Sequence, residues 1–279
     1  GGGLTALHMA CAHGEATCVA VLLARGARHD VCDSMGHRPL HFACARDHRM
    51  CALHLLEHGA PADVLTNEGG TPLMLACSRG CSPCVELLLL HRADPNTRCA
   101  RMDTALHFAA RGRSAWCIGL LLEAGAHLEA RGRHGMTPLV RLLFSRPSVW
   151  LQASSSVYEC VRLLLQLGAD VHSLDDARRT ALHFAAKRNY VEAVSLLLSR
   201  GAHLSVDANG ETPIDKARST SASARRLISQ RARRRWRGLF ALVVMLRNMK
   251  LAAAQRVYAP GGPGFQAAKR RRVAEGMKP

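Results

Sequence analysis

The feature that most constrains this chain is a repeat of 33 residues. A segment that reads TALHMACAHG at Thr5 returns as RPLHFACARD, TPLMLACSRG, TALHFAARGR and TPLVRLLFSR at intervals of 33 residues. It occurs twice more, as TALHFAAKRN and TPIDKARSTS, after steps of 43 and 32 residues. A unit this short cannot enclose a core alone, so neighbouring units must bury one another's apolar faces. The seven units start at Thr5, Arg38, Thr71, Thr104, Thr137, Thr180 and Thr212.

Each unit carries the sequence signals of two helices. Its first residue is Thr in six of the seven units, which suits a helix N-cap, and Pro or Ala follows at the first helical position. An apolar run such as CVELLLL comes next and ends at a Gly in most units. Small residues at positions 10, 43, 76, 109 and 185 let neighbouring helices approach closely. The pattern predicts an all-α array.

The T-P-L-H-x-A-A segment, the apolar second helix and the G-A-D that follows it resemble the ankyrin-repeat family. The resemblance covers roughly residues 1–230. It implies a solenoid of about seven helix-turn-helix units with short hairpin-like loops. It also implies that the histidine three residues after the unit start orders backbone between units. That histidine is present as His8, His41, His107 and His183.

Positive charge is concentrated at the C-terminal end. Residues 1–215 contain 21 Lys+Arg and 20 Asp+Glu, a balance of +1, whereas residues 216–279 contain 17 and 1, a balance of +16. An anionic partner is therefore expected first for the tail. The predicted divisions are the array over 1–230, a basic apolar helix over 231–258 and a disordered basic tail over 259–279, which begins rich in Pro and Gly.

Cysteine usage indicates reduced thiols. Eleven cysteines are an odd number, the chain is too long to need stapling, and no N-terminal apolar stretch resembles a secretory signal. We therefore expect an intracellular protein, cytoplasmic, nuclear or both. The sequence begins at Gly1 without a methionine, so whether a segment precedes it stays open. Eight cysteines recur at repeat positions, where we expect them to pack as small hydrophobes: Cys11, Cys44, Cys77, Cys18, Cys51, Cys84, Cys117 and Cys160.

One cysteine of the segment ACSRGCSPCVELLLL lies outside these series. Cys81 and Cys84 form a C-x-x-C, but no second pair accompanies it, so we expect no zinc site. Ser82 and Pro83 are interpreted as the cap and first residue of the second helix, whose N-terminus would lower the pKa of the Cys81 thiol. Cys81 is therefore predicted to be an exposed thiol.

No pattern of catalytic residues stands out. The sequence has no nucleophile and base arrangement, no Gly-rich phosphate loop and no HExxH. We expect a protein that is not an enzyme and that needs no cofactor or metal. Because repeat arrays usually present an extended concave surface, the leading hypothesis is a scaffold or adaptor that binds a protein partner there.

A basic stripe is predicted on this concave surface. The resemblance assigns variable positions to the tips between units and to the exposed end of each first helix, and both places are rich in Arg in the third to fifth units. We expect the stripe to dock an acidic protein segment, with ordinary solvated surface as the alternative. Its predicted partner-binding residues are Arg46, Arg79, Arg98, Arg101, Arg111, Arg113, Arg131 and Arg133.

The fifth unit contains an insertion at about 144–155, ten residues longer than the equivalent segments of the other units. Pro147 is expected to stop its first helix, and Ser154 to Ser156 offer caps for its second. Insertions in repeats map to surface loops, so Trp150 is predicted as a partner-binding hot spot. The alternative is that Trp150 folds back onto its own unit.

The segment 231–258 joins an Arg cluster to an apolar run. Such segments are typical of calmodulin targets and of helices on membrane surfaces, whereas packing on the last repeat is the structural alternative. The predicted calmodulin anchors show 1-5-10 or 1-8-14 spacing and are Trp236, Phe240, Val243, Met245 and Met249.

The run Lys269, Arg270, Arg271 and Arg272 fits a nuclear import signal read by importin, with attraction to nucleic acid as the weaker alternative. No specific nucleic-acid module is recognisable, and no apolar run is long enough to span a bilayer. Two further functions stay open. One is a substrate-recognition subunit of a ubiquitin ligase, as in the ankyrin and SOCS-box group, although no SOCS box is found. The other is a nuclear transcriptional regulator with a basic tail.

Overall fold

The computed structural model describes residues 3–145, 156–217 and 223–230. These residues form helices and no strand, as predicted for an all-α repeat. The helices are α1 (Ala6–His13), α2 (Ala16–Ala24), α3 (Pro39–Ala45), α4 (Arg49–Glu57), α5 (Pro72–Arg79), α6 (Ser82–Leu90), α7 (Ala105–Gly112), α8 (Ala115–Glu123), α9 (Pro138–Phe144), α10 (Val157–Gln166), α11 (Ala181–Arg188), α12 (Val191–Ser199) and α13 (Pro213–Lys216), with a 3-10 turn at Arg133–Gly135 and a last helix over 223–230.

The helices stack in two layers. The first helices of successive units contact one another in order, from α1 on α3 to α11 on α13, and the second helices do the same from α2 on α4 to α10 on α12. One continuous core runs between the layers. The compact unit that contains the array spans Gly1–Ile228. The second unit, Ser229–Pro279, has only residues 229 and 230 among those described.

Short hairpins connect the units. In each one, the first N–H donates to the carbonyl of the fourth residue after it, at 2.9–3.0 Å. Neighbouring hairpins are tied together by further backbone bonds, such as Asn67 N–H to Met35 O (3.1 Å) and Ala100 N–H to Glu68 O (2.9 Å). The hairpins are Asp33–His37, Thr66–Gly70, Cys99–Asp103, Gly132–Met136, Asp175–Arg179 and Asp207–Glu211.

A buried histidine links each of four first helices to the hairpin that follows its unit. The Nδ1 atom of His8, His41, His107 and His183 accepts from the N–H of the unit's first residue at 3.0–3.2 Å. Nε2 must therefore carry the ring proton, which it donates to a hairpin carbonyl at 2.9–3.2 Å. These imidazoles order backbone, as the resemblance implied, and they do so in the neutral form.

Neutral buried imidazoles make the array sensitive to acid. Burial lowers the pKa of His41 from 6.5 to about 4, and it lowers the pKa of His107 and His183 as well. His41 binds a proton near pH 6.5 in the unfolded chain but only near pH 4 in the folded chain. Its contribution to the free energy of unfolding is therefore fully present above pH 6.5 and is lost as the pH falls towards 4.

We expect the free energy of unfolding to fall between pH 7 and pH 5, with His41 alone contributing about 2 kcal/mol of that fall. Urea denaturation at the two pH values measures it. His41→Asn should be less stable at pH 7 but lose less stability on acidification. His91→Gln alters an exposed histidine and should keep the wild-type pH dependence. An equal pH dependence in His41→Asn and wild type would contradict the assignment.

Small residues determine how closely the first helices approach. The alanines and cysteines that face the neighbouring units, such as Ala43, Cys44, Ala76 and Cys77, are completely buried. Seven of the eight periodic cysteines are buried, as predicted, whereas Cys18 is exposed because α2 has only α4 as a neighbouring second helix. Gly112 allows a close contact between α7 and α5, since a Cβ there would lie 2.7 Å from Cys77 O and 2.9 Å from Ser78 O.

Gly112→Ala should therefore destabilise the array by about 1–3 kcal/mol, because the added methyl meets backbone that cannot move without shifting α5. Gly119 is the matched control, since it also lies in a helix and a Cβ there meets nothing within 4 Å. Gly119→Ala should be stabilising by about 0.5–1 kcal/mol through helix propensity. Chemical denaturation of both variants tests the packing, and similar midpoints would show that α5 and α7 do not pack as described.

The fifth and seventh units depart from the regular pattern. Helix α9 ends at Phe144, and α10 begins after Ser156, whose hydroxyl accepts from Glu159 N–H (3.1 Å) while the Glu159 carboxylate accepts from Ser156 N–H (3.0 Å). Ser156 is thus the N-cap of α10. In the seventh unit the first helix, α13, is only four residues long. Pro147 and Trp150 lie outside the described residues.

Candidate functional site

A groove lies along α3, α5 and α7 on the side of the hairpins. It forms a cavity of about 740 Å³. Phe42 and Leu75 provide its apolar floor and are half-buried, because both occupy the helix position four residues after the unit start. Arg46, Arg79 and Arg111 are exposed along its edge. We call these five residues together the arginine groove.

The arginine groove continues into a smaller pocket of about 200 Å³. Phe108, Arg101, Asp103, Arg111 and Arg141 line this space, which we call the Arg141 pocket. Met35, His37, Leu75 and Arg111 line both cavities, so the two are adjacent.

An ion pair forms one wall of the Arg141 pocket. Arg141 Nη2 lies 3.0 Å from Asp103 Oδ2, and both side chains are buried. Asp103 Oδ1 also accepts from Arg133 N–H at 2.9 Å. Burial lowers the pKa of Arg141, and the positive charges of Arg111, Arg133 and Arg101 lower it further, while Asp103 raises it.

Sequence reasoning missed Arg141 and Asp103. Arg141 occupies the position four residues after Thr137, where the other units before the last one place Met9, Phe42, Leu75, Phe108 and Phe184. The sequence did contain a signal for Arg141, because it is the one charged residue among apolar residues at this repeat position before the last unit. The partner, Asp103, lies in the hairpin before the preceding unit and comes near Arg141 only through stacking.

Arg113 does not lie on this surface, which corrects the prediction. It is only 9% exposed, and its backbone is left-handed (φ 55°) at the C-cap of α7. The guanidinium donates to Ser145 O (3.3 Å) and to the Tyr190 hydroxyl (2.8 Å). The turn after α7 directs the side chain towards the fifth and sixth units, where it connects their loops instead of facing a partner.

The remaining predicted arginines are exposed: Arg133 lies within a hairpin, whereas Arg98 and Arg131 lie directly before the first residue of one. Arg98 donates to Arg131 O at 3.5 Å, and Arg131 donates to Gly135 O (3.2 Å) and to Leu174 O. Arg133 Nε donates to the His134 ring at 3.1 Å. Arg98 and Arg131 thus connect neighbouring inter-unit segments, whereas the Arg133 side chain bonds within its own hairpin.

Arg101 also lies at a hairpin tip but lines the Arg141 pocket, at 3.9 Å from the exposed Glu68 carboxylate. Of the predicted stripe, Arg46, Arg79 and Arg111 line the arginine groove and Arg101 lines the Arg141 pocket. The other exposed members, Arg98, Arg131 and Arg133, lie in or beside the hairpins.

Cys81 is buried, contrary to the prediction of an exposed thiol. It is 8% exposed and belongs to the core between the helix layers. Burial raises the pKa of its thiol to about 12, and the nearby Asp47 carboxylate raises it further, so the helix N-terminus does not make it reactive. The cap assignment was also wrong by one residue, because Cys81 is the N-cap of α6 and Ser82 its first residue.

All eleven cysteines are among the described residues, and all are free thiols. We expect brief treatment of the native protein with iodoacetamide to modify the exposed Cys18 and Cys32 and to spare the nine buried cysteines, including Cys81. Peptide mapping by mass spectrometry gives the result. Urea-unfolded protein, in which all cysteines should react, is the control. Modification of Cys81 as fast as Cys18 would refute its burial.

Residues 3–145, 156–217 and 223–230 contain no group of three His, Cys, Asp or Glu side chains placed to hold a metal ion. None of the helices in this part of the chain is long and apolar enough to cross a membrane. The predicted hot spot Trp150, the calmodulin anchors between Trp236 and Met249 and the import signal Lys269 to Arg272 lie outside the described residues.

Comparison with known proteins identifies the fold family. The family model described as ankyrin repeats in three copies matches residues 2–66 and 150–233, which together exceed half of the chain. The chain belongs to the ankyrin-repeat family. A second model, for ankyrin repeats in many copies, matches residues 55–109. The predicted fold class, an ankyrin-repeat solenoid, is confirmed.

Solved structures and a curated relative agree. The ankyrin repeat domain of human ASB11 matches with a TM-score of 0.72 and 30% identity, covering 82% of this chain and 98% of that chain. The ankyrin repeat domain of Bcl-3, described as a unique member of the IkappaB protein family, matches with a TM-score of 0.62, 28% identity and coverages of 80% and 98%. Human Ankyrin repeat and KH domain-containing protein 1 is 36% identical over 114 residues, which are 40% of this chain.

The chain spans 4% of the length of that curated relative. The similarity therefore concerns the repeat domain rather than the whole of the larger protein. Ankyrin repeats bind protein partners and are generally non-catalytic interaction modules. The repeat array of this chain is accordingly a protein-interaction domain.

Proposed function

We propose that this chain is a scaffold or adaptor that captures an extended, acidic segment of a partner protein in the arginine groove. The observation that carries the proposal is the combination of an apolar floor, Phe42 and Leu75, with exposed arginines along the same cavity. Apolar contact supplies affinity, and charge-assisted hydrogen bonds from the guanidinium groups supply orientation.

The charge of the array as a whole does not explain this site. Residues 1–215 have a formal net charge of only +1, so the arginines gather at the groove locally and do not reflect a generally basic array. Arg46 and Arg79 occupy the same position in successive units, and Arg111 precedes that position in the next unit. A partner segment that runs along α3, α5 and α7 would meet one guanidinium in each unit. A repeated acidic pattern in the partner matches this arrangement.

Several functions predicted from the sequence lie beyond the groove. Binding of calmodulin or importin and a role in transcription concern residues 231–279 and stay predictions, as does a cytoplasmic or nuclear location. The ubiquitin-ligase receptor is likewise a proposal, because substrate recognition would use the same groove whereas the ligase contact would need a separate segment.

A charge-reversal experiment tests the groove. The full chain carrying Arg46→Glu, Arg79→Glu and Arg111→Glu is compared with wild type by affinity purification and quantitative mass spectrometry. The amount of groove-bound partner recovered with it should fall about tenfold or more. The matched control carries Arg25→Glu, Arg49→Glu and Arg162→Glu, which change the net charge equally at exposed positions on or next to second helices. The control should retain the wild-type partners. Equal losses in both variants, or none in either, would contradict the proposal.

A further inference from the structure

The Arg141 pocket contains an unused hydrogen-bond donor. Arg141 is 9% exposed, and its Nη2 atom is engaged by Asp103. Its Nε atom is buried and has no hydrogen-bond partner among the described residues. A buried guanidinium N–H without an acceptor is unfavourable unless a ligand provides one. Arg141 lines the pocket, so an acceptor that enters from the arginine groove can approach the Arg141 guanidinium.

The charges around the pocket indicate the kind of acceptor. The pocket is lined by three arginines and two carboxylates, namely Arg101, Arg111, Arg141, Asp103 and Glu68. The formal net charge of these five side chains is +1. A single carboxylate neutralises this charge, whereas a phosphate dianion would exceed it and would be repelled by the two acidic side chains. The pocket therefore favours a carboxylate over a phosphate.

The shape of the site agrees with this choice. The pocket is about 200 Å³, small beside the 740 Å³ of the arginine groove, and Phe108 lines it together with the arginines. An apolar wall limits hydration, which strengthens a charge-assisted hydrogen bond inside. Because Arg111 lines both cavities, a peptide lying on Phe42 and Leu75 can direct a neighbouring side chain into the pocket.

We propose that the Arg141 pocket is a carboxylate-binding subsite that takes the side chain of one Asp or Glu from the peptide bound in the arginine groove. This inference rests on the proposed function, since the peptide itself is held by the groove. The apolar floor selects a hydrophobic residue, and the pocket selects the acidic residue beside it. Arg141 and Arg111 donate to the carboxylate, while Asp103 holds Arg141 in place.

The test uses the full chain and a phage-displayed library of random dodecapeptides as the probe. The groove triple variant carries Arg46→Glu, Arg79→Glu and Arg111→Glu. Peptides that bind wild type but not this variant should share an acidic residue near an apolar one. One selected peptide is then labelled, and its dissociation constant is measured by fluorescence polarisation. Changing its conserved Glu to Gln should weaken binding to wild type about tenfold.

Variants of the chain connect this loss to the pocket. Arg141→Met combined with Asp103→Asn removes both charges of the buried pair, so neither is left unpaired, and the introduced amide keeps an oxygen for Arg133 N–H. This double variant should bind the Glu peptide about tenfold more weakly and the Gln peptide as wild type does. Arg111→Gln, at an exposed position, is the second variant and should act in the same direction without affecting folding.

The outcomes separate the two proposals. If peptides bind through Phe42, Arg46 and Arg79 but Glu→Gln in the peptide costs nothing, or costs the same in the Arg141 variant as in wild type, the carboxylate subsite is wrong and the groove stands. If phosphoserine in place of Glu binds more tightly, the pocket takes phosphate and the carboxylate assignment is overturned. If no peptide distinguishes wild type from the groove triple variant, both proposals fail.

Discussion

The imidazole that connects a helix start to the next hairpin is the interaction on which the array depends. Its Nδ1 atom accepts from the first N–H of its own unit, and its Nε2 atom donates to a carbonyl 28 or 29 residues further along. One side chain thus fixes the angle between helix and hairpin in four units. Because hairpin tips and first helices line the arginine groove together, the geometry of the binding surface follows from this link.

After the third unit, where the histidine is absent, other contacts hold the hairpin. Met74 replaces it in the third unit, and the hairpin that follows ends at Asp103. There the Asp103 carboxylate accepts from the Arg133 N–H of the following hairpin and pairs with Arg141 Nη2 of the fifth unit. The ion pair therefore supports the hairpin after the third unit, one of the units that lack the histidine. The same ion pair forms a wall of the Arg141 pocket. The contact that takes over the role of the missing histidine is thus also part of the candidate binding site.

Sequence reasoning succeeded where the repeat itself carries the information. A residue that returns every 33 positions occupies the same environment each time, so the caps, the histidines and the buried Cys44, Cys77 and Cys84 could be predicted. It failed where the residue type at a repeat position changes from unit to unit. Cys81 and Arg113 lie in tight turns, and whether a turn residue faces solvent or the core depends on the neighbouring units. Arg141 was missed because its partner is distant in sequence.

The arginine groove and the Arg141 pocket should contribute differently to recognition. Exposed guanidinium groups such as Arg46 and Arg79 attract an acidic segment over a distance, but salt screens them and many acidic segments satisfy them. The pocket acts only at contact, and its formal charge of +1 and apolar wall discriminate between one carboxylate, a phosphate and a neutral side chain. Recognition by this array would then combine fast, weakly selective capture along the groove with selection at one buried arginine, a residue that departs from the repeat.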